Sequence, residues 1–394
     1  MLHDPQIIAA GFTRRLVLFY SAIFAAIGIQ LPFFPLWLEA KGLDARMIGL
    51  VLAAPMVVRI FSVPIATGLA DWRQALRGAL VITAVAAAAG NVALGFTEDS
   101  LAILIVFSLA SVAFTPIMPL AEAYALRGLA QAGRAYGPVR LWGSAAFIAG
   151  SLGAGAIIDS IAPRNLIWLI VAAMVATAVA TLGLMPLRVG TPAAEQAEPS
   201  SKGFLRTPGF AAIAAAAGLI QASHAVYYGF SSLDWKLAGI SGAAVGALWA
   251  VGVIAEITLF AVSGRLPPGL GSAALLLLGA LGAVVRWTAM ALDPPTLVLP
   301  LLQCLHGLSF GATHLGAVGF VALAAPPGRA ATAQGYLAVA LGTAMALSMG
   351  LSGILYEAFG GLAYAGMAVM AAAGGLFALA AWRFPSLAPR RPAP

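Results

Sequence analysis

The chain has 394 residues, of which 61% are hydrophobic and only 9% charged, and its mean hydropathy is +0.97. A soluble domain carries roughly 25% charged residues, so a water-soluble fold is excluded. The formal net charge of +7 does not mark a nucleic-acid binder, because the cations sit in alternate loops between apolar runs and form no single patch.

Apolar runs of about 20 residues recur along the chain, each long enough to cross a hydrocarbon core roughly 30 Å thick. They predict spans at 16–38, 47–70, 78–96, 100–124, 139–158, 165–185, 210–235, 243–263, 272–292, 297–323, 332–356 and 362–382. The expected fold is an all-α membrane protein with twelve transmembrane helices. The first span runs on through Phe33 and Trp37 without a small-residue cleavage site and reads as a retained helix, not a signal peptide. Cys304 is the single cysteine, so no intrachain disulfide can form.

The longest polar interruption runs from Leu187 to Pro208 and contains Pro192, Glu195, Glu198, Pro199 and Lys202. It divides the chain into a six-helix bundle over 1–186, a linker over 187–208 and a second bundle over 209–394. Sliding the sequence against itself by about 197 residues sets Gly42 on Gly239, Gly49 on Gly246 and Arg59 on Glu256. One residue further, Gly137 meets Gly335, Gly155 meets Gly353 and Asp159 meets Glu357. An ordered series of this kind predicts a duplication. Because an even number of spans is repeated, the two copies run parallel, with a substrate site expected between them near mid-bilayer. Gly143, Gly150, Gly153 and Gly155 in the fifth span, with Gly342, Gly350 and Gly353 in the eleventh, are expected to permit close helix approach.

Arg14, Arg15, Arg73, Arg77, Arg127, Arg134, Arg140, Arg188, Lys202, Arg206, Arg265, Arg329, Arg383, Arg390 and Arg391 fall on one side of the predicted spans. Lys41, Arg46, Arg164 and Lys236 fall on the other. The positive-inside rule makes the richer side cytoplasmic, which places both termini there and implies a bacterial-type inner membrane.

An ionisable group inside a span costs roughly 2.5–3.5 kcal/mol on insertion scales and normally faces a cavity or a partner. Arg59, Glu122, Arg140, Glu256, Arg286 and the pair His306 and His314 are so placed. Glu256 is the candidate proton carrier, because burial favours its neutral form and a nearby guanidinium, for which Arg286 is the candidate, favours its charged form. A static buried ion pair is the structural alternative. His306 and His314 lie about two turns apart, too far to chelate one metal directly but suited to a proton relay or to hydrogen-bonding a substrate, with Gln303 on the same helix; a purely structural role is the alternative. Gln221, His224, Tyr227 and Tyr228 repeat at helical spacing and line either a polar cavity or a packing face.

Several segments carry a family resemblance. LPFFPLWLEAKGL (31–43), GLADWRQALR (68–77), and AEAYAL followed by YGPVRLWGS (121–126 and 136–144) resemble the major facilitator superfamily. QASHAVYYGFSSLDWKLAGISGAAVGALWAVGVIAEITLF (221–260) and LLQCLHGLSFGATHLGA (301–317) narrow the resemblance to the phenylpropionate permease type, with lactose permease further off. The loop with Gly68, Asp71, Arg73 and Arg77 matches the superfamily signature without its second glycine, and implies a gating contact from Asp71 to an arginine or a helix N-terminus. By similarity to lactose permease, Glu122 and Arg140 correspond to its substrate-binding pair, Glu256 to its acid in the eighth span, and Arg286 and His306 to its coupling groups. Ser309 stands where that permease has its coupling glutamate, so Glu256, or a relay through His306 and His314, would have to replace it.

The resemblance implies a proton-coupled symporter that imports a small aromatic carboxylate by alternating access. Arg140 or Arg286 would pair the anion, Trp142 or Tyr228 would contact the ring, and His224 and Gln303 would complete the binding set. The partners are the small-molecule substrate, protons and the lipid bilayer, in a monomer with no nucleic acid. A saccharide or nucleoside symporter is the alternative, since Glu122 and Arg140 can also bind hydroxyls; drug efflux fits the polar residues less well. An enzyme would need a metal cluster or a nucleophile and base, and the sequence has neither, nor a cofactor motif such as GxxxxGK[ST].

Overall fold

The computed structural model describes residues 5–187, 206–267, 270–326 and 330–382; most of the predicted linker and the cations Arg188, Lys202, Arg329, Arg383, Arg390 and Arg391 lie outside them. Among the described residues the regular structure is entirely helical, as expected where lipid offers no partner to an unpaired backbone N–H or C=O. The first seven α-helices are α1 (Pro5–Ala40), α2 (Ala45–Trp72), α3 (Leu76–Gly95), α4 (Ser100–Phe114), α5 (Ile117–Gln131), α6 (Gly137–Ile158) and α7 (Leu166–Leu182). Then come α8 (Pro208–Ala222), α9 (Ala225–Leu237), α10 (Gly242–Val262), α11 (Ser272–Ala291), α12 (Leu299–Cys304), α13 (Thr313–Ala324), α14 (Ala330–Phe359) and α15 (Ala363–Ala381).

Several α-helices join end to end. Among the described residues, eleven helical stretches are long and apolar enough to cross a membrane. The last of them, Thr332–Ala381, runs for 50 residues and turns through a 3-10 segment at Gly360–Leu362, where Gly360 has φ +55. The outer surface carries Phe61, Leu109, Leu347 and Val369, each at least 65% exposed, the inverse of a soluble protein and the surface that lipid requires.

By internal packing the chain forms two compact units, Met1–Thr191 with Ser232–Ala250, and Pro192–Ser231 with Val251–Pro394. In the first, α1 packs on α6 and α7, and α3 on α4 and α7. In the second, α8 packs on α14 and α15, and α11 on α13 and α15. Counted as crossings, these four pairings of the first unit have counterparts in the second.

The offset glycines mark a repeated turn. Gly42 and Gly239 have φ +84 and +80, the left-handed conformation that glycine adopts without penalty. After α1, Gly42 N–H donates to Glu39 O and Leu43 N–H to Leu38 O. After α9, Gly239 N–H donates to Lys236 O and Ile240 N–H to Trp235 O. The next helix is then capped by a side chain two residues past the glycine: Asp44 accepts from Met47 N–H at 2.8 Å, and Ser241 from Ala244 N–H at 3.3 Å.

The expected glycine contacts hold in part. A Cβ on Gly143 would meet Phe24, one on Gly150 the carbonyl of Ala25, and one on Gly155 the carbonyl of Gly242. Gly153 and Gly350 have nothing within 4 Å of that position, so neither makes the close helix approach expected of it.

Candidate functional site

The predicted polar residues gather into two clusters, one in each unit. In the first unit, α6 presents Arg140, whose guanidinium lies 4.2 Å from the ring centre of Phe24 on α1; its Nη1 donates to Ser144 one turn further along α6 at 3.5 Å. Tyr20 on α1 meets the Tyr136 hydroxyl at 3.4 Å. Glu122 on α5 is within reach of the Arg140 charge but forms no ion pair with it, and remains exposed. The cluster is held by aromatic packing with its charges apart, so both can still take a ligand. Trp142 does not pack into it: two residues along a helix is more than half a turn, and its side chain is 58% exposed.

The second cluster is sealed. Arg286 on α11 is fully buried, with its guanidinium 4.4 Å from the Tyr227 ring centre and 4.5 Å from that of Trp287. Its Nη2 donates to Gln303 Oε1 and its Nη1 to His306 Nδ1 at 3.1 Å. A guanidinium only donates, so His306 Nδ1 accepts, and in the neutral ring the proton sits on Nε2. That nitrogen lies 3.6 Å from Glu256 Oε2. Beside it, His224 Nδ1 faces the carbonyls of Gln221 and Ile220 at 3.1 and 3.2 Å. These can only accept, which leaves His224 Nε2 of the neutral ring to accept from the Ser309 hydroxyl at 3.0 Å.

This cluster is built where helices break. Between α8 and α9 the chain turns at Ser223 and His224; Trp287 Nε1 donates to the Ser223 hydroxyl at 2.9 Å. Between α12 and α13, Gly307–Ala312 forms a π segment, and Gln221 Nε2 donates to its Phe310 carbonyl at 3.4 Å. Gly307 backs onto the Ala255 carbonyl, 2.9 Å from where a Cβ would stand. Segments of this kind free backbone groups and recur at functional sites in membrane helices.

His314 is on the same side as His306, but the Phe310 ring stacks between them, 5.2 Å from one and 6.2 Å from the other. A direct relay between the two histidines is therefore blocked in this conformation. Tyr228 stacks at 5.6 Å on His224. Sequence reading left out Trp287, Phe24, Tyr20 and Tyr136; aromatic residues beside an intramembrane arginine are the signal that would have found them.

The remaining predicted residues lie apart from both clusters. Arg59, half-buried, makes no hydrogen bond or ion pair among the described residues. The Asp71 carboxylate is exposed and makes none either, while Arg73 stacks at 5.5 Å on Trp72. Arg77 donates from Nε to Leu184 O at 2.6 Å and from Nη2 to Leu182 O at 3.1 Å. With Arg15 on Gly183 O and Tyr124 on Met185 O, it satisfies the carbonyls at the end of α7. At the ends of the spans, Lys41 donates to Glu98 at 2.6 Å and holds its carboxyl below the ordinary range. Lys236 donates to Asp159 Oδ1 at 2.6 Å and Gly242 N–H to Oδ2 at 2.7 Å, which lowers the Asp159 carboxyl in the same way. Among the described residues no group of His, Cys, Asp or Glu is arranged to hold a metal ion.

Comparison with known proteins agrees with this architecture. The model of the MFS_1 like family matches residues 13–365. The chain is 32% identical over 360 residues to the probable 3-phenylpropionic acid transporter of Escherichia coli (strain K12), covering 88% of this chain and 92% of that one. It is 29% identical over 315 residues to the maltose permease of Geobacillus stearothermophilus, covering 78% of each. Among solved structures, the nucleoside transporter NupG superposes with a TM-score of 0.81 at 17% identity, covering 95% of this chain and 99% of that one. A D-xylose-proton symporter superposes with a TM-score of 0.67 at 15% identity, covering 96% and 98%. At these identities the structural likeness establishes the fold alone.

Proposed function

The chain belongs to the MFS_1 like family and is a multi-pass membrane transporter, not an enzyme; from that premise we propose that it is a proton-coupled symporter importing a small aromatic carboxylate. The observation that carries the reading is Arg286, a fully buried guanidinium faced by two aromatic rings. A cation flanked by π faces suits a ligand with an anionic end and an aromatic body. The relative with the printed name 3-phenylpropionic acid transporter supports the same class.

The chain crosses an inner membrane twelve times, with Thr332–Ala381 counted as two crossings about Gly360, and both termini are cytoplasmic. At 1.5 Å per residue, a single helix of that length would be more than twice as long as a hydrocarbon core is thick. Two six-helix bundles over 1–186 and 209–394, joined by the 187–208 linker, remain part of this proposal; the four matched helix pairings and the repeated turns at Gly42 and Gly239 support them, although Ser232–Ala250 packs with the first unit. The protein works as a monomer. Transport proceeds by alternating access, with Glu122, Arg140, His224, Tyr228 and Gln303 lining the substrate path and Glu256 taking the proton.

A ligand screen tests the substrate class. On purified protein, 3-phenylpropionate should raise the melting temperature and block a bound probe, whereas maltose, xylose and nucleosides should do neither. Displacement by a sugar or a nucleoside, with no effect of aromatic acids, would overturn this reading in favour of a saccharide or nucleoside symporter.

A further inference from the structure

Three arginines stand within the spans, and two of them are engaged. Arg286 donates to Gln303 and His306 between two aromatic rings, and Arg140 rests on Phe24 with a bond to Ser144. Arg59 on α2 differs from both. Among the described residues it makes no hydrogen bond or ion pair, and no charged group lies close enough to act on it.

Its place in α2 rules out the usual relief for such a charge. From Arg46 to Asp71 it is the one charged residue, at the middle of a 28-residue helix. At 1.5 Å per residue about 20 Å of helix lies on either side, more than the roughly 15 Å from the middle of a hydrocarbon core to its edge. Snorkelling to a lipid headgroup serves cations near helix ends, not one at mid-helix. Arg59 also stands opposite the apolar outer stripe of α2, formed by exposed Leu50, Val57, Phe61 and Ile65. Ile48, Val51, Ser62 and Ala70, which are buried, repeat at helical spacing on its own side. Polar groups lie there. The Ser62 hydroxyl, one turn along, is 2.7 Å from the Thr115 hydroxyl, and Thr115 ends α4 beside Pro116, where the span breaks before α5.

We propose that Arg59 is the anion selector of the transport path: it receives the carboxylate of the substrate in the conformation seen here, in which Arg286 is sealed, and makes the protein favour a carboxylate over the neutral amide of the same shape. This rests on the aromatic-carboxylate reading above and names a binding residue for it in the first unit. A guanidinium inside a span without an acceptor destabilises the empty protein. An arriving carboxylate supplies what is missing, a planar acceptor that the guanidinium fork holds through two parallel bonds. A neutral ligand brings no such acceptor and a cation is repelled, so the residue filters by charge. Because Arg59 is bonded to nothing in the empty protein, all of its donors are available to the anion, and stability is given up for that availability.

The test compares two ligands of one shape. Binding of 3-phenylpropionate and of 3-phenylpropionamide to purified full-length protein is measured by calorimetry at pH 7, for wild type, Arg59→Gln and Arg59→Lys. Wild type should bind the acid at least about tenfold more tightly than the amide. Arg59→Gln should lose about tenfold in affinity for the acid, the low end for a bond to a charged group, with the amide unchanged. Arg59→Lys keeps the charge and should lose less. Without ligand, Arg59→Gln should melt at or above the wild-type temperature, since it removes a charge that has no partner. No preference in wild type, a preference that survives Arg59→Gln, or an equal loss for acid and amide overturns the selector proposal. So does an Arg59→Gln chain that fails to fold or melts well below wild type, because that result assigns Arg59 a structural role. In each of these cases, binding of the acid by wild type leaves the substrate class standing. No binding of the acid by wild type overturns the aromatic-carboxylate reading, and this inference with it.

Discussion

The two clusters hold similar residues in opposite states. Around Arg140 the charges are separated and accessible: Glu122 is exposed, and the guanidinium rests on Phe24 with one long bond to Ser144. Around Arg286 every member is buried or nearly so, and each nitrogen of both histidines has an assigned direction. An open cluster can bind a ligand but contributes little to folding, because exposed charges are screened by solvent. A sealed one couples binding to structure, because any change of charge inside it must be compensated within the protein. On the proposed function, the first cluster serves recognition and the second coupling.

Substitutions separate the two. Arg286→Gln should have the largest effect, weakening 3-phenylpropionate binding by roughly ten- to hundredfold, the worth of hydrogen bonds to a charged group, and lowering the melting temperature as well. Arg140→Gln should weaken binding by about tenfold and shift stability by less than about 0.5 kcal/mol, as expected of a site outside the core. A matching loss of stability there would erase the contrast. Ser309→Ala removes the hydroxyl that faces His224 Nε2 and should cost about 1 kcal/mol of stability, read by chemical or thermal denaturation, with uptake reduced only a few-fold.

Effects outside both clusters should be smaller. Lys236→Ala removes the partner of Asp159 and should cost at most about 1 kcal/mol, as for solvent-exposed pairs. The Asp159 carboxyl is held below its ordinary range, first by Lys236 and then by the Gly242 N–H. Its contribution is therefore complete at neutral pH and is lost only as pH falls through that lowered value. Melting curves of wild type and Lys236→Ala should run parallel between pH 5.5 and 8. Trp142→Ala should change stability by no more than about 0.5 kcal/mol, since its side chain is 58% exposed, and should leave uptake unchanged if it stands apart from the substrate path. A loss of uptake there would return Trp142 to the substrate path.

What was legible in the sequence depended on the range of the cause. The spans follow from local apolarity, and the duplication showed itself at Gly42 and Gly239 because a left-handed turn needs the same residue wherever it recurs. Arg286, Gln303, His306 and His224 could be singled out because polar residues stand out in apolar runs. Their arrangement could not. The break at His224 and the π segment at Gly307–Ala312 arise from packing between distant residues, such as Gly307 against Ala255; helical periodicity placed His306 and His314 on one side but could not show the Phe310 ring stacked on both. Trp142, expected as one of two ring contacts for the substrate, stands more than half a helical turn from Arg140. Arg77, read as part of a gate, proves to hold the carbonyls that end α7.

The most direct test is transport itself. Proteoliposomes with an imposed inward proton gradient and no membrane potential are supplied with labelled 3-phenylpropionate, and the passive entry of its protonated form, measured in protein-free vesicles, is subtracted. The account predicts accumulation above that background which collapses with the gradient and is absent in Glu256→Gln. Protein-dependent uptake that ignores the gradient and survives Glu256→Gln would contradict it.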